Sequence, residues 1–130
     1  MESAAAPLDA CQLVTKSDAE TVAGTPLNEG QPGNPLSPSC VYTAPVSGPL
    51  GQVSIYIGDG AKKTYDIDVE LKHEFTPVPN IGDEAYEESD AIFFRKGIIW
   101  VALELARLND SAENRIPLET LAKKVAAQLP

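Results

Sequence analysis

The chain has little of what most catalytic and membrane functions need. It contains one histidine, two cysteines and one tryptophan among 130 residues. It has no apolar run of the roughly 18 residues that span a bilayer, and no cluster of Lys or Arg longer than a pair. It also lacks a GxSxG elbow, a CxxC pair and the glycine-rich loop of a phosphate site. These absences argue against a transmembrane helix, against nucleophilic catalysis and against the common metal and phosphate motifs.

Positive charge is also scarce. The net charge is -9, from 19 acidic and 10 basic residues, and the acids are spread along the whole chain. Such a surface repels phosphate backbones and anionic lipid headgroups. We therefore expect no nucleic-acid partner and no direct attachment to a membrane.

The length predicts one domain, because 130 residues can bury a core of their own. The first seven residues, MESAAAP, carry no hydrophobic region of a signal peptide. We expect residues 1–7 to be a disordered N-terminal stump or tether, and residues 8–130 to be a single α+β domain.

The centre of that domain is residues 82–108, which hold the only Trp and the longest apolar run. Alternation of apolar and polar residues predicts three antiparallel strands here, joined by two-residue turns at Ser89-Asp90 and Lys96-Gly97. One face is uniformly apolar and is the predicted core side. On the other face, Tyr86, Phe93 and Trp100 are predicted to lie across from one another. A strand over residues 52–57 adds Tyr56 to the same face, and Arg95 lies beside this aromatic row.

The remaining segments are read from their caps and periodicities. Residues 28–39 are rich in Pro and Gly and predict a loop. Residues 61–75 are ambiguous, because they alternate like a strand and also form an apolar stripe on a helical wheel; helix is favoured. The other predicted elements are a helical entry over residues 8–27 with a Thr15–Asp18 capping box and a stop at Gly24, a strand over residues 40–44, and a final helix opened by Pro117.

These elements predict an α+β fold. The sheet is expected to be antiparallel and twisted, with about five strands and with helices packed on one face.

The two cysteines, Cys11 and Cys40, leave two interpretations open. A bridge between them would close a loop of about 30 residues and stabilise the fold by roughly 3 to 4 kcal/mol; it would also indicate an oxidising, extracytoplasmic compartment. Alternatively, both are buried free thiols of a cytosolic protein. Their spacing, with a single histidine in the chain, does not predict a metal site.

Several phrases in their order resemble a known family. They are DACQLVTKSDAETVAG, SCVY, NIGDEAY, IFFRKGIIWVAL and PLETLAKKVAAQL. Together they resemble an uncharacterised family of small bacterial, mostly actinobacterial, extracytoplasmic lipoproteins. The resemblance implies a PsbP-like α+β sheet fold, a disulfide between Cys11 and Cys40, and no established activity. It also implies membrane attachment only through an N-terminal lipid anchor, although this sequence has no lipobox.

No residue pattern predicts catalysis or a cofactor. His73 is interpreted as a polar residue near a helix end. The acidic run Asp83, Glu84, Glu87, Glu88 and Asp90 is interpreted as solvated surface, because the order of ligands in an EF-hand is absent and alternation sends Glu84 and Glu88 one way and Glu87 the other. We expect no metal and no cofactor.

The aromatic row is the candidate site. Tyr56, Tyr86, Phe93, Arg95 and Trp100 could contact a protein, a glycan or an apolar ligand, since flat aromatic rings supply contact area at low entropic cost; the competing interpretation is that a loop covers them. The sequence thus favours an extracytoplasmic, lipid-tethered, non-enzymatic binding domain at the cell surface. The alternative is a hydrolase or a carrier of lipids or small ligands, with an internal cavity between sheet and helices and Asp66 or Asp83 at its mouth.

Overall fold

The computed structural model describes residues 9–33 and 38–130. The predicted stump at residues 1–7 lies outside the described residues. Within the described part, none of the helices is long and apolar enough to cross a bilayer. The helices are α1 (Ala10–Leu13), α2 (Lys16–Ala23), α3 (Asp59–Glu70) and α4 (Arg115–Gln128), with a short 3₁₀ helix at Ser111–Asn114. The strands are β1 (Gln31–Pro32), β2 (Ser39–Thr43), β3 (Gly51–Ile57), β4 (Thr76–Pro77), β5 (Glu84–Glu88), β6 (Ala91–Lys96) and β7 (Ile99–Arg107).

All described strands join one antiparallel sheet in the order β1-β2-β3-β7-β6-β5-β4. The α+β class and the antiparallel sheet are confirmed, but the sheet has seven strands rather than about five. The two additional strands, β1 and β4, have two residues each and contain a proline. Proline cannot donate to a ladder and is tolerated at sheet edges, which is where both strands lie. Strand β1 falls within residues 28–39, which were predicted to be only loop.

The main core lies between one face of the sheet and the helices α1, α2 and α4. Helix α2 is capped at its start by Thr15, which forms the predicted capping box with Asp18, and at its end by Gly24, whose φ is 71°. Asp18 also pairs with Lys124, so the start of α2 is tied to α4. The largest fully buried side chains of this core include Ile55, Ile81, Ile92, Phe94, Leu103, Leu105 and Leu118.

The opposite face of the sheet is covered by α3. The favoured helix is confirmed for residues 61–70, but α3 ends at Glu70 and does not continue to residue 75. The expectation that the helices share one face is wrong. Ala61 and Tyr65 of α3 pack against the aromatic row, whereas Ile67 and Leu71 point outward and are 54% and 64% exposed. The aromatic side chains of this face form an apolar surface on which α3 packs. The alternation of apolar and polar residues does not reveal this surface, because the same face also carries charged residues.

The turns of the central meander follow the prediction at one end only. Ser89 and Asp90 form the first turn, as predicted, and β6 follows directly. The second turn consists of Gly97 and Ile98 rather than Lys96 and Gly97, because Lys96 pairs with Ile99. Gly97 has φ 61° at the first turn position, a conformation that glycine adopts without strain and that type II′ hairpins require there.

This second turn moves the register of β6 against β7 by two residues from the prediction. Trp100 lies opposite Arg95, and Phe93 lies opposite Ala102, so the predicted Phe93–Trp100 pair is wrong. Tyr86 lies opposite Phe93, as predicted. A shift of two residues keeps every side chain on its predicted face, because side chains alternate with a period of two.

The predicted disulfide is confirmed. Cys11 of α1 is bonded to Cys40 of β2, with a Cα–Cα distance of 5.2 Å. The hydroxyl of Tyr42 in the same strand donates a hydrogen bond of 2.6 Å to the carbonyl of Val14. The N-terminal helices are therefore attached to the sheet by one covalent and one buried polar contact.

We expect Lys96→Met to lower the free energy of unfolding by about 1–2 kcal/mol. The ammonium of Lys96 donates to the carbonyls of Ala126 and Leu129, at 2.8 and 2.9 Å, and so satisfies the last turn of α4. Urea denaturation measures the effect. Lys123→Met, which removes an exposed ammonium from the same helix, should change it by less than about 0.5 kcal/mol. Equal losses in the two variants would contradict a capping role.

Candidate functional site

The aromatic row lies under α3 rather than open to solvent. The five predicted contact residues, Tyr56, Tyr86, Phe93, Arg95 and Trp100, share the face that α3 covers. Phe93 has 0% exposure, and the other four are partly buried. Phe93 cannot touch a ligand while α3 is in place. A contact role for the exposed edges of the other four stays a prediction.

Tyr65 of α3 is the centre of this second small core. Its ring stacks on Trp100 at 5.2 Å and on Tyr86 at 5.4 Å between ring centroids. It also meets Phe93 at 5.6 Å and Phe75 at 5.2 Å. We call these five rings the aromatic cluster. The cover, which the competing interpretation assigned to a loop, comes from Tyr65 of α3 together with Phe75 of the segment that follows the helix.

Arg95 is occupied by its neighbours. Its Nε lies 2.6 Å from an oxygen of Glu84, and Nη1 donates to the carbonyl of Gly97 at 2.7 Å and lies 3.5 Å from Asp83. The guanidinium holds the pKa of Glu84 below its usual value. Its charge is therefore used within the chain and is not free to recruit an anion.

A pocket lined by carboxyl groups opens further along the same sheet face. Its volume is about 280 Å³, and its lining includes Asp68, Glu88 and Glu104, with Ser54 and Ala91 among the smaller residues. We call it the acidic pocket. Among the described residues that line it there is no Lys or Arg. The carboxyl groups of Asp68, Glu88 and Glu104 therefore have no Lys or Arg of the described lining as a partner.

The strand register places the two glutamates of the pocket. Glu88 ends β5 and pairs with Ala91 of β6, and Ala91 pairs in turn with Glu104 of β7. Directly opposed residues of neighbouring strands project from the same face, so the three side chains form a row under the end of α3. The small methyl group of Ala91 leaves the space between the two carboxyl groups open.

The end of α3 brings the third carboxylate and the histidine. Asp68 lies in its last turn, and Lys72 follows with a positive φ of 63°. The amide of His73 then donates to the carbonyl of Asp68 at 3.0 Å, and that of Lys72 to Val69 at 3.0 Å, a Schellman-like ending. This ending folds the imidazole back toward Glu88, with Nδ1 2.7 Å from Oε1.

Glu88 is the most strongly perturbed group of the pocket. Burial, and then the adjacent carboxyl group of Asp68, raise its pKa to about 7, although its contact with His73 acts in the other direction. Its side chain is 10% exposed. Its second oxygen, Oε2, is buried and has no hydrogen-bond partner among the described residues. A buried carboxylate oxygen without a donor is costly.

The neighbouring groups are perturbed in the same sense. Burial and the negative charge of Asp68 raise the pKa of Glu104. The hydrogen bond with Glu88 raises the pKa of His73. All three pKa shifts favour the protonated form of the side chain. The pocket therefore favours the uptake of positive charge.

The acidic run is divided between the two faces of the sheet, as alternation predicted, but the expectation of solvated surface is wrong for two of its members. Glu87 is 3% exposed on the α4 side, where Arg115 Nε lies 3.1 Å from its Oε1. Burial and the nearby Glu119 raise the pKa of Glu87 to about 7. Glu88, on the α3 side, is mostly buried in the acidic pocket.

The predicted cavity carboxylates, Asp66 and Asp83, are not in the lining of the acidic pocket. His73 lies near a helix end, as predicted. Asp66 is paired with Lys62 along α3 at 2.6 Å, and Asp83 accepts a 2.7 Å hydrogen bond from the amide of Gly97. A usable signal would have been the row made by Glu88, Ala91 and Glu104, which needs the correct β6–β7 register.

The fold and the site define a disulfide-linked α+β domain with an acidic pocket beneath the end of one helix. Comparisons with family models, with curated proteins and with solved structures give no match. The resemblance to the actinobacterial lipoproteins stays a prediction.

Proposed function

We propose that this chain is an extracytoplasmic, non-enzymatic binding domain that takes a positively charged ligand into the acidic pocket. The disulfide supports the compartment, since such bonds persist mainly in oxidising surroundings. The lipid tether expected from the family resemblance is a further part of this proposal.

One observation carries the choice of ligand charge. Glu88 Oε2 is buried with no hydrogen-bond donor among the described residues, and the carboxyl group of Asp68 lies against the same side chain. Two carboxylates in contact repel each other unless a proton or a cation stands between them. Glu104 adds a third carboxyl group to the same lining. A bound cation would replace the proton and supply the missing partner.

The contacts of His73 support binding rather than turnover. Its Nδ1 is directed at Glu88 Oε1 at 2.7 Å and at Asp68 Oδ2 at 3.8 Å. A carboxylate at Nδ1 also orients the histidine of a catalytic triad, but such a histidine contacts a hydroxyl or thiol as well, and among the described residues His73 has a side-chain hydrogen bond with Glu88 alone. The only imidazole of the chain is thus engaged with carboxylates.

The proposal predicts that the pocket binds hexaamminecobalt(III), a trivalent cation whose inert ammine shell prevents coordination by side chains. Glu104→Gln should weaken this binding by about tenfold at low ionic strength, because it removes one carboxylate from the lining. Isothermal titration calorimetry on the intact chain measures the change.

The matched control is Glu70→Gln, which makes the same change of charge at an exposed position of α3. It should bind the probe within about twofold of wild type, because an exposed charge is screened. Equal weakening in the two variants, or no binding to wild type, would contradict a cation site in the acidic pocket.

A further inference from the structure

We propose that Asp68, His73 and Glu88 form a coordination site for a divalent transition-metal ion, with Zn²⁺ the best fit. This inference rests on the proposed function, because it names the cation of the same pocket. The three side chains come from the last turn of α3, from the second residue after its C-terminal cap Leu71, and from the end of β5. One ligand atom from each lies within 4.8 Å of the others.

Two of the three ligand–ligand distances are within about 1 Å of those of a tetrahedral site. With metal–ligand bonds of about 2.1 Å, the ligand atoms of such a site are about 3.4 Å apart. His73 Nδ1 is 2.7 Å from Glu88 Oε1 and 3.8 Å from Asp68 Oδ2. Shifts of less than about 1 Å would bring both distances to this value. His73 makes such a shift easily, because its side chain is 43% exposed.

The types of ligand select the class of metal. One imidazole nitrogen with two carboxylate oxygens is a set that Zn²⁺ and its neighbours in the first transition row accept. Ca²⁺ and Mg²⁺ prefer oxygen ligands only, and in larger number. Two carboxylates with a neutral imidazole also carry two negative charges, which balance a divalent ion. We therefore expect transition metals to bind more tightly than Ca²⁺ or Mg²⁺.

A second observation, independent of the clustering, points to a ligand. The side chain of Glu88 is nine-tenths buried, and its Oε2 has no hydrogen-bond partner among the described residues. Its other oxygen already faces His73. A metal ion held by both oxygens of this carboxylate would also engage Oε2, which has no donor among the described residues.

Binding would also strengthen the link between the end of α3 and β5, which the contact of His73 with Glu88 already joins. A metal between Asp68 and Glu88 links the C-terminal end of α3 to β5, beside the aromatic cluster. A ligand that binds only the folded state stabilises it in proportion to the logarithm of its concentration over Kd. The melting temperature should therefore rise with Zn²⁺ concentration.

The test is to titrate the untagged, chelator-treated chain with ZnCl₂ and to measure binding by isothermal titration calorimetry. We expect one ion per chain, and we expect His73→Ala and Glu88→Gln each to weaken binding by about a hundredfold. Because His73 is the only histidine, its imidazole resonances in the proton NMR spectrum report the same event directly. They should move on addition of Zn²⁺ and not on addition of CaCl₂.

Two probes separate this inference from the proposed function. Glu70→Gln, which removes an exposed charge of α3, is the matched control for both and should change Zn²⁺ affinity by less than about twofold. Binding of hexaamminecobalt(III) without binding of Zn²⁺ would overturn the metal site and leave the proposed function standing. Binding of neither would overturn both. Unchanged Zn²⁺ affinity in His73→Ala would also overturn the metal site.

Discussion

Replacing both Cys11 and Cys40 by serine is expected to lower the free energy of unfolding by about 3–4 kcal/mol. The bond joins residues that are 29 apart in sequence, and it closes a loop that contains the Pro- and Gly-rich segment. Without the bond, the unfolded chain regains the conformations that this closure removes. Guanidinium denaturation of the oxidised wild type and of the double variant measures the difference.

Reductant supplies the control for this prediction. Wild type unfolded in the presence of dithiothreitol should reach the stability of the double-serine variant, and the variant itself should be unaffected by the reagent. A wild-type midpoint that does not move on reduction would contradict a stabilising disulfide. It would also weaken the case for an oxidising compartment.

The second large effect is expected in the aromatic cluster. Phe93→Ala should lower the free energy of unfolding by about 3–5 kcal/mol, because Phe93 is fully buried between the sheet and Tyr65 of α3. The cavity left behind should also loosen the packing of α3 on the sheet. Trp100, the only tryptophan, stacks on Tyr65, so its fluorescence should shift to the red in the folded variant.

Ile98→Ala is the matched control on the same hairpin. Ile98 lies in the β6–β7 turn and is 95% exposed, so its truncation should change stability by less than about 0.5 kcal/mol. If Phe93→Ala were equally mild, α3 would not be seated on the aromatic row in solution. The row would then be an open face, and Tyr56, Tyr86, Arg95 and Trp100 would regain their predicted contact role.

The elements of the main core followed from local patterns. The Thr15 capping box and Gly24 mark the ends of α2 through contacts within a few residues, and the Ser89-Asp90 turn follows from the alternation of its flanking strands. Such features depend on residues that are close in sequence, so they can be predicted from local sequence patterns. The second turn was missed by one residue because two-residue turns beginning at Lys96 or at Gly97 both keep the alternation intact.

The candidate site depended on contacts that no local pattern records. Glu88 reads as an exposed acid at the end of a strand, and its burial results from α3, which ends 18 residues earlier in the chain at Glu70. His73 reads as an ordinary polar residue near a helix end. Only the path of the chain around Lys72 brings its imidazole to 2.7 Å from Glu88.

The sequence by itself determined the α+β class, the faces of the central strands and the scarcity of basic groups, because side-chain periodicity and composition are properties of short segments and simple sums. It also suggested, through a family resemblance, the pairing of Cys11 with Cys40. The tertiary structure alone decided that α3 covers the aromatic row and that Asp68, His73 and Glu88 converge. Burial and charge proximity depend on which distant segments pack together, and that packing is what raises the pKa of Glu88 to about 7.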